Sequence, residues 1–343
     1  MARLFNKVNS QELKEQLQQS DEARVTLSFY RYHQIEQPEH FRDELYQLLD
    51  QVGVFGRIYV ASEGVNGQIS VPQAQFETFK AQLYSIPWMD GMRLNIAIED
   101  NGKSFYKLKI KVRHKIVADG LEDDAFDVTK RGQHIDAETF NQLTDQSDTI
   151  VIDMRNHYES EVGHFEDAVC PDVTTFRESL PIIEDMLQEH KDKNIVMYCT
   201  GGIRCEKASA YYRHKGFQKV FQLDGGIIEY ARQVREKGLT NKFKGKNFVF
   251  DERMGERISE EIIARCHQCG VPCDSHVNCA NDACHLLFIQ CEKCAAKYQG
   301  CCSNKCSDFI KLPAKEQLLL RKTEIFNGTK FGKGRYKANK GSL

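Results

Sequence analysis

The first hundred residues switch between the two periodicities of apolar positions that distinguish strands from helices. Residues 24–32 alternate polar and apolar side chains as a strand does, whereas residues 38–49 repeat apolar side chains on one helical face. The predicted elements are, in order, strand 24–32, helix 38–49, strands 55–61 and 67–71, helix 73–84 and strand 92–98. This βαββαβ order predicts a ferredoxin-like (acylphosphatase-like) α+β domain over residues 1–120.

Between the two middle strands, the residues Gly64-Val65-Asn66-Gly67 predict a hairpin turn. Glu63 and Asn66 would then lie at a loop tip, where polar side chains either contact a substrate or only satisfy the turn. The sequence leaves both alternatives open.

Cations occupy every second position from residue 107 to residue 115. Strand geometry over residues 105–117 places them on one face and an apolar set on the other, and no acidic residue occurs from 103 to 118. A solvated edge strand, in which lysine opposes aggregation, is one explanation. Five cations favour a face that binds a polyanion such as a nucleic-acid backbone, with an affinity that falls as salt rises. The cations are Lys107, Lys109, Lys111, Arg113 and Lys115, and the predicted apolar face is Leu108, Ile110, Val112, His114 and Ile116.

After an acidic and polar linker at 119–132, a second series of strands and helices begins. The predicted elements are helix 137–143, strand 149–154, helix 176–190, strand 194–198, a helix after the cysteine loop, strand 219–223 and helix 227–237. This alternation predicts an α/β domain over residues 133–240, with a parallel sheet covered by helices on both faces. In such sheets, binding sites form at the carboxyl ends of the strands.

Cys199 lies at such a strand end and is followed by a glycine turn and a helix. The free backbone NH groups at the start of that helix, its dipole and the cation of Arg204 favour a thiolate, which would move the pKa from about 8.5 toward roughly 4 to 7. A free cysteine can instead be a small apolar filler. The Gly201-Gly202 pair and the nearby arginine favour the reactive thiolate, because packing alone does not explain them.

The composition limits the classes of protein that this chain can be. A length of 343 residues indicates two or three domains, and a net charge of -2 argues against a generally basic nucleic-acid binder. No run approaches the roughly 18 apolar residues that span a bilayer, so we expect a cytoplasmic protein without membrane contact. In a reducing compartment, thirteen cysteines indicate metal ligation or thiol chemistry rather than disulfides.

Ten of the cysteines lie between Cys266 and Cys306, which predicts a small cysteine-rich module over residues 241–326. Two C-x-x-C pairs are spaced so that each can present two thiolates to one tetrahedral zinc ion. Two alternatives remain open, an iron–sulfur cluster and a module in which zinc serves only to stabilise the fold. Two four-cysteine zinc sites would use eight of the ten cysteines, so at least two must have another role. The first predicted site is Cys266, Cys269, Cys291 and Cys294; a second is Cys279, Cys284, Cys302 and Cys306, with His267, His276 and His285 as possible replacements.

The final segment, residues 327–343, is basic and rich in glycine and polar residues, which is typical of a disordered tail. Such a tail either adds nonspecific attraction for phosphate or keeps the protein in solution. Its cations are Lys330, Lys333, Arg335, Lys337 and Lys340.

Several motifs in the second domain resemble the rhodanese family. The resemblance implies a cysteine that can carry sulfane sulfur as a persulfide, held by backbone NH groups of its loop. Cysteine phosphatases have a similar sheet but place five residues between cysteine and arginine, whereas four separate Cys199 from Arg204, so phosphatase activity is disfavoured. The matching motifs are Asp153-Met-Arg155, residues 159–168, the loop 199–204 and Leu223-Asp-Gly-Gly-Ile227.

Across almost the whole chain, the motifs are similar to those of the bacterial rhodanese-domain tRNA uridine hydroxylases. The segments that carry this resemblance are residues 55–66, 199–207 and 245–254, together with the cysteine-rich region. The resemblance implies formation of 5-hydroxyuridine at the tRNA wobble position with molecular oxygen as co-substrate. Neither composition nor spacing alone predicts hydroxylation.

On this resemblance, Cys199 is the catalytic residue, either as a persulfide or as a nucleophile that adds to carbon 6 of uracil and makes carbon 5 electron-rich. Arg204 would stabilise negative charge near the loop formed by Thr200, Gly201, Gly202 and Ile203. Asp153 and Arg155 are expected to form a structural ion pair, and Cys205 is expected to pack in the helix rather than to act as a resolving thiol.

Two other functions are open at this point. A sulfurtransferase would use the same cysteine without RNA, and a sulfur donor protein would be its partner; a noncatalytic RNA-binding module would leave the cysteine loop unused. The cationic strand and the additional domains favour the oxidoreductase that acts on tRNA. No nucleotide cofactor is evident, and the source of reducing equivalents is not predicted.

Overall fold

The computed structural model describes residues 9–121, 126–328 and 334–337. The described residues form two compact units. The first comprises the described parts of Met1–Asn156, together with Asp167–Lys242 and Val249–Arg257. The second comprises His157–Glu166, Phe243–Phe248 and the described parts of Ile258–Leu343. No helix within the described ranges has both the length and the apolar composition needed to cross a membrane.

The N-terminal part of the first unit contains a five-stranded sheet in the order β4-β1-β3-β2-β5. The first four strands follow the order of a ferredoxin-like sheet, so the predicted fold is confirmed. The fifth strand pairs parallel with β2. The elements are α1 (Ser10–Gln19), β1 (Arg24–Tyr32), α2 (Pro38–Gln51), β2 (Phe55–Ala61), β3 (Gly64–Pro72), α3 (Phe76–Tyr84), β4 (Asn95–Ile96) and β5 (Leu108–Val112).

One face of this sheet is apolar and is covered by α2 and α3. Leu27 and Phe29 of β1 and Ile58 of β2 are at most 2% exposed and belong to one core with Leu45 of α2 and Phe79 of α3. The opposite face carries polar side chains, because side chains alternate along each strand.

The predicted hairpin turn at 64–67 is wrong, because β3 already begins at Gly64 and the turn consists of Ser62 and Glu63. Both glycines serve close approaches within the sheet instead. A Cβ at Gly64, where φ is +143°, would lie 2.1 Å from the carbonyl oxygen of Arg31, and a Cβ at Gly67 would lie 2.6 Å from the Phe29 ring.

The predicted strand over 105–117 is also too long, since β5 ends at Val112. Its partner β2 ends at Ala61, and Val112 pairs with Val60, so little pairing edge remains beyond that point. His114 is exposed rather than inward, whereas Ile116 is buried as predicted.

The second half of the first unit contains a four-stranded parallel sheet in the order β6-β10-β9-β7. The predicted parallel α/β domain is therefore confirmed. The central strand β9 is buried along its whole length. The elements are β6 (Gln133–Ile135), α4 (Ala137–Thr144), β7 (Thr149–Asp153), α6 (Phe176–Leu187), β9 (Asn194–Tyr198), α7 (Ile203–His214), β10 (Val220–Leu223) and α8 (Gly226–Lys237), with α5 (His157–Ser160) and β8 (Gly163–Phe165) belonging to the second unit.

Two pairs of helices flank this sheet. Tyr212 of α7 donates a hydrogen bond to the carbonyl oxygen of Leu180 in α6, and Tyr230 of α8 donates one to the side chain of Asn141 in α4. These contacts fix the helices that begin at the carboxyl ends of β9 and β10.

The second unit is built from short elements around cysteine-rich cores. β8 pairs antiparallel with β11, and β13 pairs antiparallel with β14. One core combines Leu286 and Phe288 with buried cysteines. The remaining elements of the chain are β11 (Phe243–Asn247), β12 (Glu256–Arg257, in the first unit), β13 (His276–Asn278), β14 (Leu287–Ile289), α9 (Glu292–Tyr298), α10 (Asn304–Phe309) and α11 (Ala314–Leu320).

The predicted basic tail lies mostly outside the described residues. Lys330, Lys333 and Lys340 are not described, whereas Arg335 and Lys337 are.

Candidate active site

The loop that follows β9 places the sulfur of Cys199 against backbone NH groups. The amide of Gly202 donates to Cys199 Sγ at 3.1 Å, and Gly202 adopts a left-handed φ of +99° just before α7. The amides of Ile227 and Ile228 bind the carbonyl oxygens of Cys199 and Thr200 at 3.0 and 3.3 Å. Because the loop carbonyls are held by the start of α8, the loop amides are free to face the sulfur.

The thiol of Cys199 is 1% exposed and is nevertheless acidic. Burial raises its pKa, but the hydrogen bond from the Cys205 thiol, the charge of Arg204 and the backbone amides of both residues outweigh burial and lower the pKa to about 6. The predicted lowering is confirmed. Cys199 is therefore mainly a thiolate at neutral pH.

Cys205 has the opposite character. Burial and the neighbouring Cys199 raise the pKa of the Cys205 thiol well above its usual value, so Cys205 is the hydrogen-bond donor of the pair. It is fully buried in the first turn of α7, as the sequence predicts for a packing residue. Arg204, in the same turn, is only 9% exposed.

The predicted ion pair between Asp153 and Arg155 is confirmed. Arg155 donates from Nε to Asp153 Oδ1 at 2.9 Å and from Nη2 to Oδ2 at 2.6 Å, and both side chains are fully buried. The guanidinium also lies 5.6 Å from the ring centroid of Tyr198. This pair fixes the strand ends beside the loop and is therefore structural.

Residues of the ferredoxin-like sheet lie against the cysteine loop, and spacing along the sequence did not predict this arrangement. Asn95 donates from Nδ2 to the Gly201 carbonyl at 3.4 Å, and Tyr32 donates to the Ile203 carbonyl at 3.4 Å. Tyr30 donates to Glu206 Oε1 at 3.1 Å. For the two tyrosines the nearest sequence signal is their alternation along β1, which gives no information about what that face of the sheet covers.

Ion pairs join the same two parts of the first unit. His134 lies 3.2 Å from Glu206 and 3.3 Å from Asp224, and these carboxylates raise its pKa to about 9 despite burial. Arg93 also pairs with Asp224, at 2.5 Å. The charge of Glu206, in the helix that follows the cysteine loop, is balanced by His134 and by Arg131, which lies 3.1 Å away.

Glu63 and Asn66 have structural partners rather than open positions. Glu63 binds the buried Lys207 at 2.7 Å and accepts a hydrogen bond from the Ile116 amide, and Asn66 donates to the Ile116 carbonyl. Lys207 also binds Asp119, at 2.6 Å. These contacts favour the turn explanation over contact with a substrate.

The predicted cationic face is only partly formed. Lys109 and Lys111 lie on the polar side of β5, and Arg113 follows the strand with its guanidinium 5.5 Å from the Tyr59 ring centroid. The prediction is wrong for Lys115, which turns to Asp119 at 2.9 Å and to the Leu121 carbonyl at 2.6 Å. The acidic residue that follows the strand thus neutralises its last cation.

Lys107 lies just before β5 with its ammonium 5.4 Å from the ring centroid of Tyr106. One further cation of this face was not predicted from the sequence. Arg57 of β2 lies directly opposite Lys109 of β5 in the strand register and adds a positive charge to the same face.

Eight cysteines of the second unit converge on two points. In the first group, Cys269 Sγ lies 3.6 Å from Cys291 Sγ; in the second, Cys302 Sγ lies 3.7 Å from Cys284 Sγ and 3.8 Å from Cys306 Sγ. Four thiolates around one zinc ion at about 2.3 Å stand roughly 3.8 Å apart, so the separations fit a tetrahedral ion. The groups are Cys266, Cys269, Cys291 and Cys294, and Cys279, Cys284, Cys302 and Cys306, as predicted.

Both groups could therefore hold a metal ion without histidine. Cys273 and Cys301 are buried but belong to neither group, which accounts for the two cysteines in excess of eight within the segment from 266 to 306.

The loop and the sheets together define a rhodanese-like domain that is preceded by an acylphosphatase-like domain and followed by a cysteine-rich segment. Residues 24–116 match the UPF0176 acylphosphatase like domain, residues 136–233 the rhodanese-like domain, and residues 244–307 the rhodanase C-terminal domain.

Similar proteins extend this classification to nearly the full chain. The tRNA uridine(34) hydroxylase of Photorhabdus laumondii is 56% identical over 98% of this chain and 96% of its own. The protein of the same name from Pectobacterium atrosepticum is 57% identical over 95% of this chain and 94% of its own, and that of Salmonella gallinarum is 59% identical over 90% and 89%. The chain belongs to the tRNA uridine(34) hydroxylase family.

Proposed function

We propose that this protein hydroxylates carbon 5 of the wobble uridine of tRNA, with molecular oxygen as co-substrate and Cys199 as the catalytic nucleophile. The observation that carries the proposal is the buried Cys199 thiolate, held by the Gly202 amide at 3.1 Å with a pKa of about 6. Family membership supports the choice of tRNA as substrate.

In the proposed reaction, Cys199 Sγ forms a bond to carbon 6 of uracil, and the electron pair of the carbon 5–carbon 6 double bond moves to carbon 5 as an enolate. Carbon 5 then bonds to oxygen, and protonation gives a hydroperoxide. A two-electron donor cleaves the oxygen–oxygen bond and releases water. Loss of the carbon 5 proton expels the thiolate, so the sum is uridine, oxygen, two electrons and two protons going to 5-hydroxyuridine and water.

Groups around the loop support the role of the thiolate in this reaction. The amides of Gly202, Arg204 and Cys205 and the Arg204 guanidinium stabilise the thiolate as both attacking and leaving group. Burial of the sulfur excludes water from the adduct. A thiol with a pKa near 6 is a good leaving group at neutral pH, which the last step needs.

A plain sulfurtransferase is disfavoured by the residues around the cysteine. Polar side chains of the ferredoxin-like sheet lie against the loop, and the same sheet carries Arg57 and Lys109, which form no ion pair with any described residue. A persulfide on Cys199 that passes sulfur to a small acceptor requires neither feature.

We also propose that each of the two cysteine groups holds one zinc ion. Four converging thiolates with no carboxylate are the donor set that zinc prefers. All four sulfurs in each group are ligands, so no position is open for a substrate, and the ions fold the second unit rather than take part in the reaction.

Lys107, Lys109, Lys111 and Arg113 are proposed to bind tRNA phosphates. They lie on or next to β5, and this part of the sheet faces away from the apolar core. Lys115 is not included, because it is paired with Asp119.

The function is tested by nucleoside mass analysis of tRNA from cells that lack the protein and are complemented with the wild type or with Cys199→Ser. We expect 5-hydroxyuridine and its derivatives to fall in the deletion, to return with the wild type and to stay absent with Cys199→Ser. The deletion is made in a strain that also lacks any second pathway to the same nucleoside, and a control strain verifies that this second pathway is absent. Unchanged wobble derivatives in that deletion would contradict the proposal.

A further inference from the structure

One straight row of polar residues crosses the ferredoxin-like sheet, with one residue from each strand. Ser28 pairs with Asn95 on one side and Gln68 on the other, Gln68 pairs with Arg57, and Arg57 pairs with Lys109. Directly paired residues project from the same face of a sheet. At about 4.8 Å between strands, the row is roughly 19 Å long.

One end of the row lies at the catalytic loop. Asn95 donates to the Gly201 carbonyl, and a Cβ built on Gly201 would be 3.5 Å from Asn95 Nδ2 and 3.6 Å from Ser28 Oγ, so both side chains lie beside the loop. The Gly201 carbonyl can only accept, which orients the Asn95 amide with Nδ2 toward the loop.

Asn95 also has an unsatisfied acceptor at this end. Its side chain is 5% exposed, and its Oδ1 has no hydrogen-bond partner in the described structure. Thr200 Oγ1, in the loop itself, is likewise buried without a partner. Buried polar atoms without partners cost free energy, so two of them beside a catalytic cysteine indicate that a polar ligand completes the site.

The other end of the row is positive and unneutralised. Neither Arg57 nor Lys109 forms an ion pair with any described residue. Burial together with the cations Lys111, Lys107 and Arg57 lowers the pKa of Lys109, which reflects a local excess of positive charge. Tyr59, next to Arg57 on the same face of β2, adds an aromatic ring to the cations.

From this geometry we propose that the row Asn95–Ser28–Gln68–Arg57–Lys109 is the track on which the single-stranded anticodon loop of tRNA lies, with the reacting uridine at Asn95 and the phosphates of nearby nucleotides at Arg57 and Lys109. This inference rests on the proposed function for the identity of the RNA. Positive groups, an aromatic ring and polar side chains along one face are a combination that binds single-stranded RNA.

The track is tested by measuring the affinity of the full-length protein for an RNA hairpin with the sequence of a tRNA anticodon arm, over a series of salt concentrations. The Arg57→Gln/Lys109→Gln variant should bind about tenfold or more weakly at moderate salt, and its slope of log affinity against log salt should fall by about 1 to 2. The matched control is Arg42→Gln/Lys80→Gln, which removes the same charges from α2 and α3 on the opposite side of the sheet. The control should bind as the wild type does.

Equal affinities for the wild type and the Arg57/Lys109 variant, or equal losses in both variants, would overturn the track. Folding is checked by the thiolate titration of Cys199, which neither variant should change. Binding needs no turnover, so the two proposals fail separately. If the Arg57/Lys109 variant loses hairpin affinity as expected but the wild type does not hydroxylate tRNA, only the proposed function is rejected. If the wild type hydroxylates tRNA but the variant binds the hairpin equally well, only the track is rejected.

Discussion

Cys199 and the cysteines of the second unit differ in what faces their sulfur atoms. Cys199 Sγ faces a backbone amide, the Cys205 thiol and the charge of Arg204. In the two tetracysteine groups, each sulfur faces three other sulfurs within 4.8 Å. The same side chain therefore suits two different chemistries. Hydrogen-bond donors stabilise a single thiolate, whereas four thiolates repel one another until a cation neutralises them.

A reactive cysteine and a structural one differ in the groups around the sulfur. Burial does not separate them, since Cys199 and Cys302 are 1% and 2% exposed. The neighbours decide: an array of fixed donors leaves the sulfur available to a substrate, whereas a metal ion uses all four sulfurs. The substitutions below remove either one of these sulfur atoms or a group that faces it.

The largest effect is expected from breaking a metal group. Cys302→Ser should reduce the zinc content from two ions to one per chain and unfold the second unit, because structural zinc contributes on the order of 10 kcal/mol of folding free energy. Metal analysis and thermal unfolding of the purified protein measure both. The adjacent Cys301→Ser is the matched control and should keep two ions, since Cys301 is equally buried but belongs to neither group. Full zinc content in Cys302→Ser would reject the assignment.

Next in size is the loss of the sulfur that is proposed to act as the nucleophile. Cys199→Ser should reduce tRNA hydroxylation on the order of 10³-fold or more, because the same donors cannot lower the much higher pKa of a serine hydroxyl enough to ionise it at neutral pH. Its zinc content and melting temperature should equal those of the wild type, which separates this cysteine from the tetracysteine groups. Appreciable hydroxylation by Cys199→Ser would remove the nucleophile from the mechanism.

Cys205→Ala should retain hydroxylation but displace its pH dependence. The Cys205 thiol donates to the Cys199 thiolate, so its removal raises the pKa of Cys199. Wild-type activity should fall about tenfold for each pH unit below that pKa, and the variant should show the same decline at higher pH. The pH profile of the initial rate is the measurement. If Cys205→Ala were as inactive as Cys199→Ser at every pH, Cys205 would instead be a resolving thiol.

A smaller shift in the same direction is expected for Arg204→Gln. Its guanidinium favours the thiolate through charge, which follows the Cys205 hydrogen bond among the stabilising contributions. The pKa of Cys199 should rise, so hydroxylation declines at neutral pH and recovers as the pH increases. Arg213→Gln, in the last turn of the same helix, is the control and should leave the profile unchanged. An unshifted profile in Arg204→Gln would show that the loop amides act without the arginine.

The features that the sequence predicts best are those set by neighbouring residues. Cys199 follows a continuous apolar strand, and the C-x-x-C pairs place two sulfurs in one turn, so both chemistries could be recognised from spacing. The βαββαβ and β/α orders were recognisable for the same reason, since each element has its own periodicity.

What the sequence could not predict depends on contacts between distant residues. The alternation from 105 to 117 continues past Val112, but β2 offers no further edge, and Lys115 turns to Asp119. Gly64 resembles a turn residue and is instead required by the closeness of Arg31 across the sheet. Asn95 contacts Gly201, which is 106 positions away, and no local pattern encodes that contact.

The ionisation of Cys199 is tested most directly by the difference in ultraviolet thiolate absorbance between the wild type and Cys199→Ser, titrated over pH. The difference isolates one sulfur, because the cysteines of the two tetracysteine groups contribute equally to both proteins and the measurement does not require a reagent to reach the buried site. We expect one thiolate that titrates with a midpoint near pH 6. A midpoint at or above about 8.5, the value of an ordinary thiol, would contradict the assignment of Cys199 as the activated nucleophile.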